Sequence, residues 1–264
     1  MVSSVTWRIV QASAVGTSHS ELGEGCQDEC FATTLLTPDA QEYFLGVLSD
    51  GAGSASRGKH GAELACRIGV GIIDQCVRES TFYLSCNLPT VTGWVTAIRQ
   101  HICAAAEAKG LRARDFACTL LGALVSKKLA VFFQIGDGAI VIRDGNELHP
   151  VFWPESGEYA NMTRFVTDED ALAHLNAKIW ISSMSGRLPE EIAMFSDGLQ
   201  RLALVYQSQT VHKPFFEPMF AELRKADGRT CDVLSDQLAR FLDSPKINER
   251  TDDDKTLVLA TRRH

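Results

Sequence analysis

No long apolar run, no basic block and no Cys-x-x-Cys pair occurs in this chain. Its uncharged apolar stretches, Gly69 to Ile73 among them, fall far short of the roughly 20 residues that a membrane-crossing helix needs. The opening residues Met1-Val2-Ser3-Ser4-Val5-Thr6-Trp7-Arg8 lack the basic-then-apolar order of a secretory signal. A cytoplasmic protein without membrane attachment is the expectation. Lys and Arg do not cluster and the net charge is −7, so phosphate neutralisation has little to work with and no nucleic-acid partner is expected. There is no internal repeat, low-complexity tract or Pro/Gly/Ser linker. With 264 residues and 45% hydrophobic content, the chain reads as one domain over 1–264, carrying an insertion. The eight cysteines, at 26, 30, 66, 76, 86, 103, 118 and 231, read as reduced, mostly buried thiols; a structural zinc is the alternative.

What is present is a segregated order of elements. Residues 7–15, 29–36 and 43–49 are strand-like, and Thr37-Pro38-Asp39 supplies a turn between the last two. Over 57–79 the period changes: Ala62, Ala65, Ile68, Gly69, Ile72, Ile73 and Cys76 recur at three- and four-residue spacing, which predicts a helix with Ser54 or Ser56 as its cap. A second helix is expected from Val91 to Lys109, with Trp94, Ile98, Ile102 and Ala105 on one face and Gly110 ending it. Strands follow at 116–125, 130–135, 139–143 and 147–152, joined in hairpins by Ser126-Lys127-Lys128 and Asp144-Gly145-Asn146. Residues 153–187 break this rhythm and are expected to form the insertion, with a short capped helix over 167–175. Phe215-Phe216 reads as a packing anchor in a loop. Strand runs separated by helix runs point to an antiparallel α+β protein rather than alternating βαβ units.

Short carboxylate motifs punctuate that order: Gln27-Asp28, Asp50-Gly51-Ala52-Gly53, Ser196-Asp197-Gly198 and Asp253-Asp254-Lys255-Thr256. Asp50 and Asp197 end strand-like runs, and Leu257-Val258-Leu259-Ala260 leaves the last cluster. Carboxylates at strand ends, beside glycines that let backbone approach closely, suit hard divalent cations. Gathered without a metal they repel one another and some must hold protons. Asp252 and Asp254 are expected to be solvated or to help the turn, and Asp168-Glu169-Asp170 to complement the first turn of a helix.

The order of these motifs resembles the metal-dependent serine/threonine protein phosphatases of type 2C, and in particular their bacterial single-domain members. The residues that carry the resemblance are Cys26-Gln27-Asp28, Asp50-Gly51-Ala52-Gly53, Ala117-Cys118-Thr119, Gly136-Asp137-Gly138, Ser196-Asp197-Gly198 and Asp253-Asp254-Lys255-Thr256, which together cover residues 10 to 260. The resemblance implies a four-layer α-β-β-α sandwich of two antiparallel sheets flanked by helix pairs, with a flap at 153–187. It implies hydrolysis of phosphoserine and phosphothreonine by attack of a metal-bridging water, with Asp28, Asp50, Asp197 and Asp253 as catalytic residues. Two divalent cations, Mn²⁺ or Mg²⁺, would be held by Asp50, the Gly51 carbonyl, Asp197 and Asp253, with Asp28 acting through bound waters. Asp137 matches the place of a third, weaker metal in bacterial members. The implied partner is a phosphorylated protein, either a serine/threonine kinase or its target. The same fold without catalysis, as a pseudophosphatase or phosphoprotein-binding scaffold, is the alternative. Three positions depart from the pattern. Gln27 stands for a common Glu, Ala52 for a histidine of animal members, and Gly23 for their phosphate-binding arginine. His19, Arg57, Lys59 and Arg164 are the candidates to replace that arginine, and the Gly16-Thr17-Ser18-His19 segment singles out His19 as substrate-binding.

Overall fold

The computed structural model describes residues 7–79, 81–154, 163–185 and 188–262. In chain order the strands are β1 (Trp7–Ala14), β2 (Asp28–Leu36), β3 (Glu42–Asp50), β4 (Leu120–Val125), β5 (Leu129–Ile135), β6 (Ala139–Asp144), β7 (Glu147–Pro150), β8 (Asn176–Ile181), β9 (Glu191–Phe195), β10 (Leu204–Val205), β11 (Thr210–Val211) and β12 (Lys255–Arg262). They form two antiparallel five-stranded sheets, β1-β12-β9-β6-β7 and β2-β3-β4-β5-β8, and a small β10-β11 ribbon.

Side-chain parity builds the layers. Phe44 and Leu48 of β3, Leu121 and Ala123 of β4, Ile140 of β6, Met194 of β9 and Val258 of β12 point between the sheets and fill the central core. The alternate residues of β3, Tyr43, Leu45 and Val47, face outward onto the helices Gly58–Val77 and Leu88–Glu107. On the other sheet, Val10, Ala193 and Leu259 face the helices Lys213–Lys225 and Gly228–Leu242. Strands apolar on both faces, such as the fully buried β4 and β5, are what a sheet covered on each side requires. This is the expected four-layer sandwich.

Local expectations needed correction where tertiary contacts overrode sequence signals. Neither Ser54 nor Ser56 caps the first long helix: Arg57 holds the cap position without a side-chain hydrogen bond, and the Arg57 N–H is satisfied by the Asp115 carbonyl at 2.8 Å. The second helix starts at Leu88 rather than Val91, because Asn87 and Thr90 form a reciprocal capping box ahead of it. The run 116–125 begins with a 3-10 turn, Ala113–Phe116, before β4. Within the expected 153–187 insertion, Asn176–Ile181 is the edge strand β8, paired with β5 and so part of the sheet framework. Only a single turn, Ala171–His174, is helical in 167–175, and residues 155–162 and 186–187 lie outside the described residues. Phe215-Phe216 sits in a helix, not a loop. Pro214 starts that helix, and Phe216 packs between Phe195 and Phe220 at ring distances of 5.7 and 6.4 Å. The cysteines are free thiols, with Cys66, Cys86, Cys118 and Cys231 buried.

Phe216 is fully buried and joins the outer helix to β9, the strand that delivers Asp197. Phe216→Ala should therefore cost about 3–5 kcal/mol of folding stability, the range for deleting a buried aromatic side chain. Urea denaturation checks this, and a loss under about 1 kcal/mol would mean that the contact is dispensable.

Candidate active site

The parity that fills the central core runs on past the ends of the strands and changes chemistry. On β3, Phe44 and Leu48 are followed two residues later by Asp50. On β2, Cys30 and Ala32 are preceded by Asp28. On β9, Ile192 and Met194 lead to Ser196, and on β12 Val258 is preceded by Thr256 and Asp254. Polar groups thus replace apolar ones on the same face, at one end of the space between the sheets.

Asp28 and Asp50 are direct cross-strand partners in the β2–β3 register. Side chains at such positions lie about 4.5–5.5 Å apart, a distance at which like charges repel. Thr119 brackets Asp50: its N–H donates to the Asp50 carbonyl at 2.8 Å and its Oγ1 accepts from the Asp50 N–H at 2.9 Å. Ser196 orients Asp28, its Oγ donating to Asp28 Oδ2 at 2.7 Å while accepting from the Thr256 N–H at 3.0 Å. Asp197 follows β9 in a short turn. A methyl group on Gly198 would meet the Asp254 carbonyl oxygen at 2.0 Å, so glycine is what lets that turn close on the Asp253–Asp254 turn. Gly51 plays the same part where its loop crosses the start of the first long helix: a methyl group on it would lie 2.4 Å from the Gly58 carbonyl carbon.

Asp254 is buried, not solvated. Oδ1 accepts from the Gly16 N–H at 2.6 Å and Oδ2 from the Gln27 N–H at 2.5 Å, so one carboxylate ties β12 to the chain after β1 and to the chain before β2. His19 Nδ1 lies 3.0 Å from the same Oδ2. Lys255 is also buried, with Nζ donating to the Val15 carbonyl at 3.1 Å and Asn248 Oδ1 at 2.7 Å. It serves the fold, not the cleft.

The cleft has a volume of about 350 Å³ and is lined by His19, Asp50, Gly51, Ala52, Asp137, Asp197 and Asp253, among others. Asp28 is buried behind it. A larger cavity of about 980 Å³, between the helices Lys213–Lys225 and Gly228–Leu242, is lined by none of the motif residues. Of the four basic candidates only His19 lines the cleft. Arg164 lies 3.8 Å from Asp170, which also pairs with His174, and this pairing replaces the helix-dipole role expected of that acidic run. Asp168 instead accepts from the Phe165 N–H at 2.9 Å.

The electrostatics are those of crowded acids. Burial pushes the Asp28 carboxyl up to about 6, against hydrogen bonds from Ser196 and Thr256. Burial and then the charges of Asp28, Asp197, Asp253 and Asp137 hold Asp50 well above the carboxylate range. Burial, with Asp137 and Asp253, raises Asp197 to about 7, and burial raises Asp253. For His19, burial opposes the imidazolium, but Asp254, Asp253 and Glu24 together raise it. Three buried carboxylate oxygens, Asp28 Oδ1, Asp137 Oδ1 and Asp197 Oδ1, receive no hydrogen bond at all. Buried carboxylate oxygens without donors fit a cation, and an all-oxygen donor set fits Mg²⁺ or Mn²⁺. Among the described residues no three acidic, His or Cys side chains already close into a cage.

Several contributors carried no sequence signal. Ser196 was visible only as a motif letter. Thr163, whose Oγ1 donates to Asp137 Oδ2 at 2.6 Å, and Gln200, whose Nε2 donates to the Asp137 carbonyl, lie in segments without a pattern.

Raised carboxyl pKa values set the sign of a stability effect. From about pH 4 to about pH 7 the native, metal-free protein keeps protons on Asp28, Asp50 and Asp197 that the unfolded chain, at 3.8, has released, so stability falls as pH rises through that window. In EDTA the thermal midpoint should decline over this range. Asp50→Asn should raise the midpoint near neutral pH by about 2–4 °C for each kcal/mol regained. A midpoint unresponsive to both would show that the acids are not crowded.

Comparison with known proteins places this architecture. A family model for protein phosphatase 2C matches residues 15–243. Serine/threonine-protein phosphatase 3 of Escherichia coli (strain K12) is 44% identical over 256 residues, which is 97% of this chain and 98% of that protein. Among solved structures, the Mycobacterium tuberculosis serine/threonine phosphatase PstP/Ppp aligns with a TM-score of 0.64 at 16% identity, covering 98% of this chain and 100% of that one. The catalytic domain of the serine threonine protein phosphatase PstP in complex with 2 manganese ions gives a TM-score of 0.61 at 16% identity, over 98% and 99% of the two chains. These structures speak for the fold; together with the family match and the close relative, they lead to one conclusion. The chain belongs to the protein phosphatase 2C family.

Proposed function

We propose that this protein is a metal-dependent phosphatase that hydrolyses phosphoserine and phosphothreonine in protein substrates. The observation that carries the reading is Asp50, seated opposite Asp28 and within the field of Asp137, Asp197 and Asp253, in a cleft whose buried carboxylate oxygens lack donors. The name of the 44% identical relative agrees with it.

In this reading Asp50, the Gly51 carbonyl, Asp197 and Asp253 hold two divalent cations, Mn²⁺ or Mg²⁺, and Asp137 with Asp197 a third. Bound there, the cations supply Lewis acidity that activates water near neutral pH and offsets charge on the transferring phosphoryl group. The protein's own groups set the geometry. Ser196 keeps one Asp28 oxygen engaged and leaves the other pointed at the cluster; Thr119 pins the Asp50 backbone from both sides; Thr163 does for Asp137 what Ser196 does for Asp28. Gln27, in place of a carboxylate, limits the negative charge at the edge of the cleft. No Lys or Arg side chain lines the cleft among the described residues, so His19 is the group that can place positive charge beside the substrate phosphate, and its contact with Asp254 favours that charged form. The counterpart enzyme is a serine/threonine kinase, acting in the cytoplasm, whose products or own phosphorylated form are the substrates.

The experiment is release of phosphate from a phosphothreonine peptide with Mn²⁺, with Mg²⁺ and with EDTA. Activity should require metal and fall by at least about a hundredfold in Asp50→Ala and Asp197→Ala. Asp137→Ala should lower turnover while two ions still bind, and His19→Ala should raise KM more than it lowers kcat. Full activity in Asp50→Ala would remove the metal assignment. No release with two ions demonstrably bound would favour a phosphoprotein-binding protein without catalysis.

A further inference from the structure

Two of the strands that lead to the carboxylates, β9 and β12, have their other ends at another cavity, with β1 and β6 beside them. Arg8 lies at the start of β1, Glu191 at the start of β9, Arg143 near the end of β6 and Arg262 at the end of β12; with Arg224 and Trp180 they border a space of about 550 Å³. At about 3.3 Å per residue, the six steps along β1 from Arg8 to Ala14 put it roughly 20 Å from the acidic cleft.

The charges here are unevenly matched. Glu191 accepts from Arg143 Nε and from Arg224, at 2.5 Å from Nε and 2.9 Å from Nη2, and Arg143 Nη2 also donates to Glu217 at 2.9 Å. Two guanidinium groups therefore use up this carboxylate. Arg8 is only 8% exposed, yet among the described residues its side chain makes one hydrogen bond, from Nη1 to the Arg224 carbonyl at 2.9 Å, and no carboxylate pairs with it. The Arg262 side chain is 7% exposed and stacks over Trp7 at 5.5 Å. Its Nη2 lies 3.3 Å from Glu190, and its Nη1 is buried with no partner. Burying a guanidinium without an anion is costly, and an orphaned N–H adds to the cost. Guanidinium forks match phosphate oxygens in shape.

The rest of the lining is mixed: Asp144, Glu190 and Thr261 are polar, and one stretch of wall is apolar. Ile142, Leu188 and Trp180 line it, and the Trp180 ring meets Phe132 edge-on at 5.4 Å. A lone anion needs neither an aromatic wall nor this much room, whereas about 300–1,000 Å³ is the usual size of a small-molecule site. We propose that this cavity binds a phosphate-bearing ligand with a planar ring, of the mononucleotide class, its phosphate on Arg8 and Arg262 and its ring on Trp180.

The test is calorimetric titration of the full chain in EDTA, which keeps cations out of the acidic cleft so that it cannot take up phosphate through them. ADP, inorganic phosphate and adenosine are the separate probes. ADP should bind one to one, inorganic phosphate at least tenfold more weakly, and adenosine without saturation. Arg8→Gln and Arg262→Gln should each weaken ADP at least tenfold, and Trp180→Leu, which leaves the ion pairs alone, should weaken ADP but not phosphate. Asp50→Asn should change none of these. Absence of ADP binding to the wild type overturns the proposal whether or not the variants fold. So does ADP binding unchanged in folded Arg8→Gln and Arg262→Gln. Phosphate bound as tightly as ADP overturns the nucleotide assignment.

Discussion

Asp28 and Asp50 face each other across two adjacent strands of a sheet, and the organisation of this protein follows from that unfavourable pair. Side chains directly opposite in an antiparallel ladder cannot move apart without breaking the ladder, and the ladder here runs unbroken from Asp28–Asp50 to Leu36–Glu42. The repulsion is therefore built in. Burial at the end of the sandwich raises its cost, and Asp137, Asp197 and Asp253 add to it. Crowding of acids on so rigid a frame favours a state in which a cation or protons neutralise them.

The rigidity comes from the second sheet and its turns. Ser196 on one sheet donates to Asp28 on the other, so a single hydroxyl crosses the gap between the layers at the point where the core becomes polar. Asp254 does comparable work in the backbone, gathering the Gly16, Gln27 and His19 segments onto the last strand. Both of its oxygens are engaged by donors, whereas Asp28, Asp137 and Asp197 each keep one buried oxygen without a donor. That difference separates an aspartate that holds the fold from aspartates that await a partner.

The same strands also connect two ends of opposite character. One end collects carboxylates, three of which keep a buried oxygen without a donor; the other interleaves arginines with Glu190, Glu191 and Glu217, and Arg262 Nη1 is buried there without a partner. β1, β9 and β12 run between these ends, and the middle of the sandwich remains apolar on the inner face.

The period-two alternation of the strands and the three-to-four spacing over 57–79 made the α+β class legible in the sequence, because burial of one face imposes those periods on any chain. The motif aspartates were legible too, since their chemistry tolerates few substitutes and they flank recognisable strands. Their assembly was not. Asp28, Asp197 and Asp253 lie far apart along the chain, and only strand register and the close approach of Gly198 to the Asp254 carbonyl bring them together. Asp254 looked solvated because its partners are backbone N–H groups over two hundred residues away, and Ser54 and Ser56 looked like caps although the helix starts after them, at Arg57, whose N–H is held by the Asp115 carbonyl of another element. Local pattern determined which elements form and which residues carry the chemistry. Tertiary structure alone decided which carboxylates are satisfied and which are left to bind, because hydrogen-bond satisfaction of a buried group depends on what the fold places beside it.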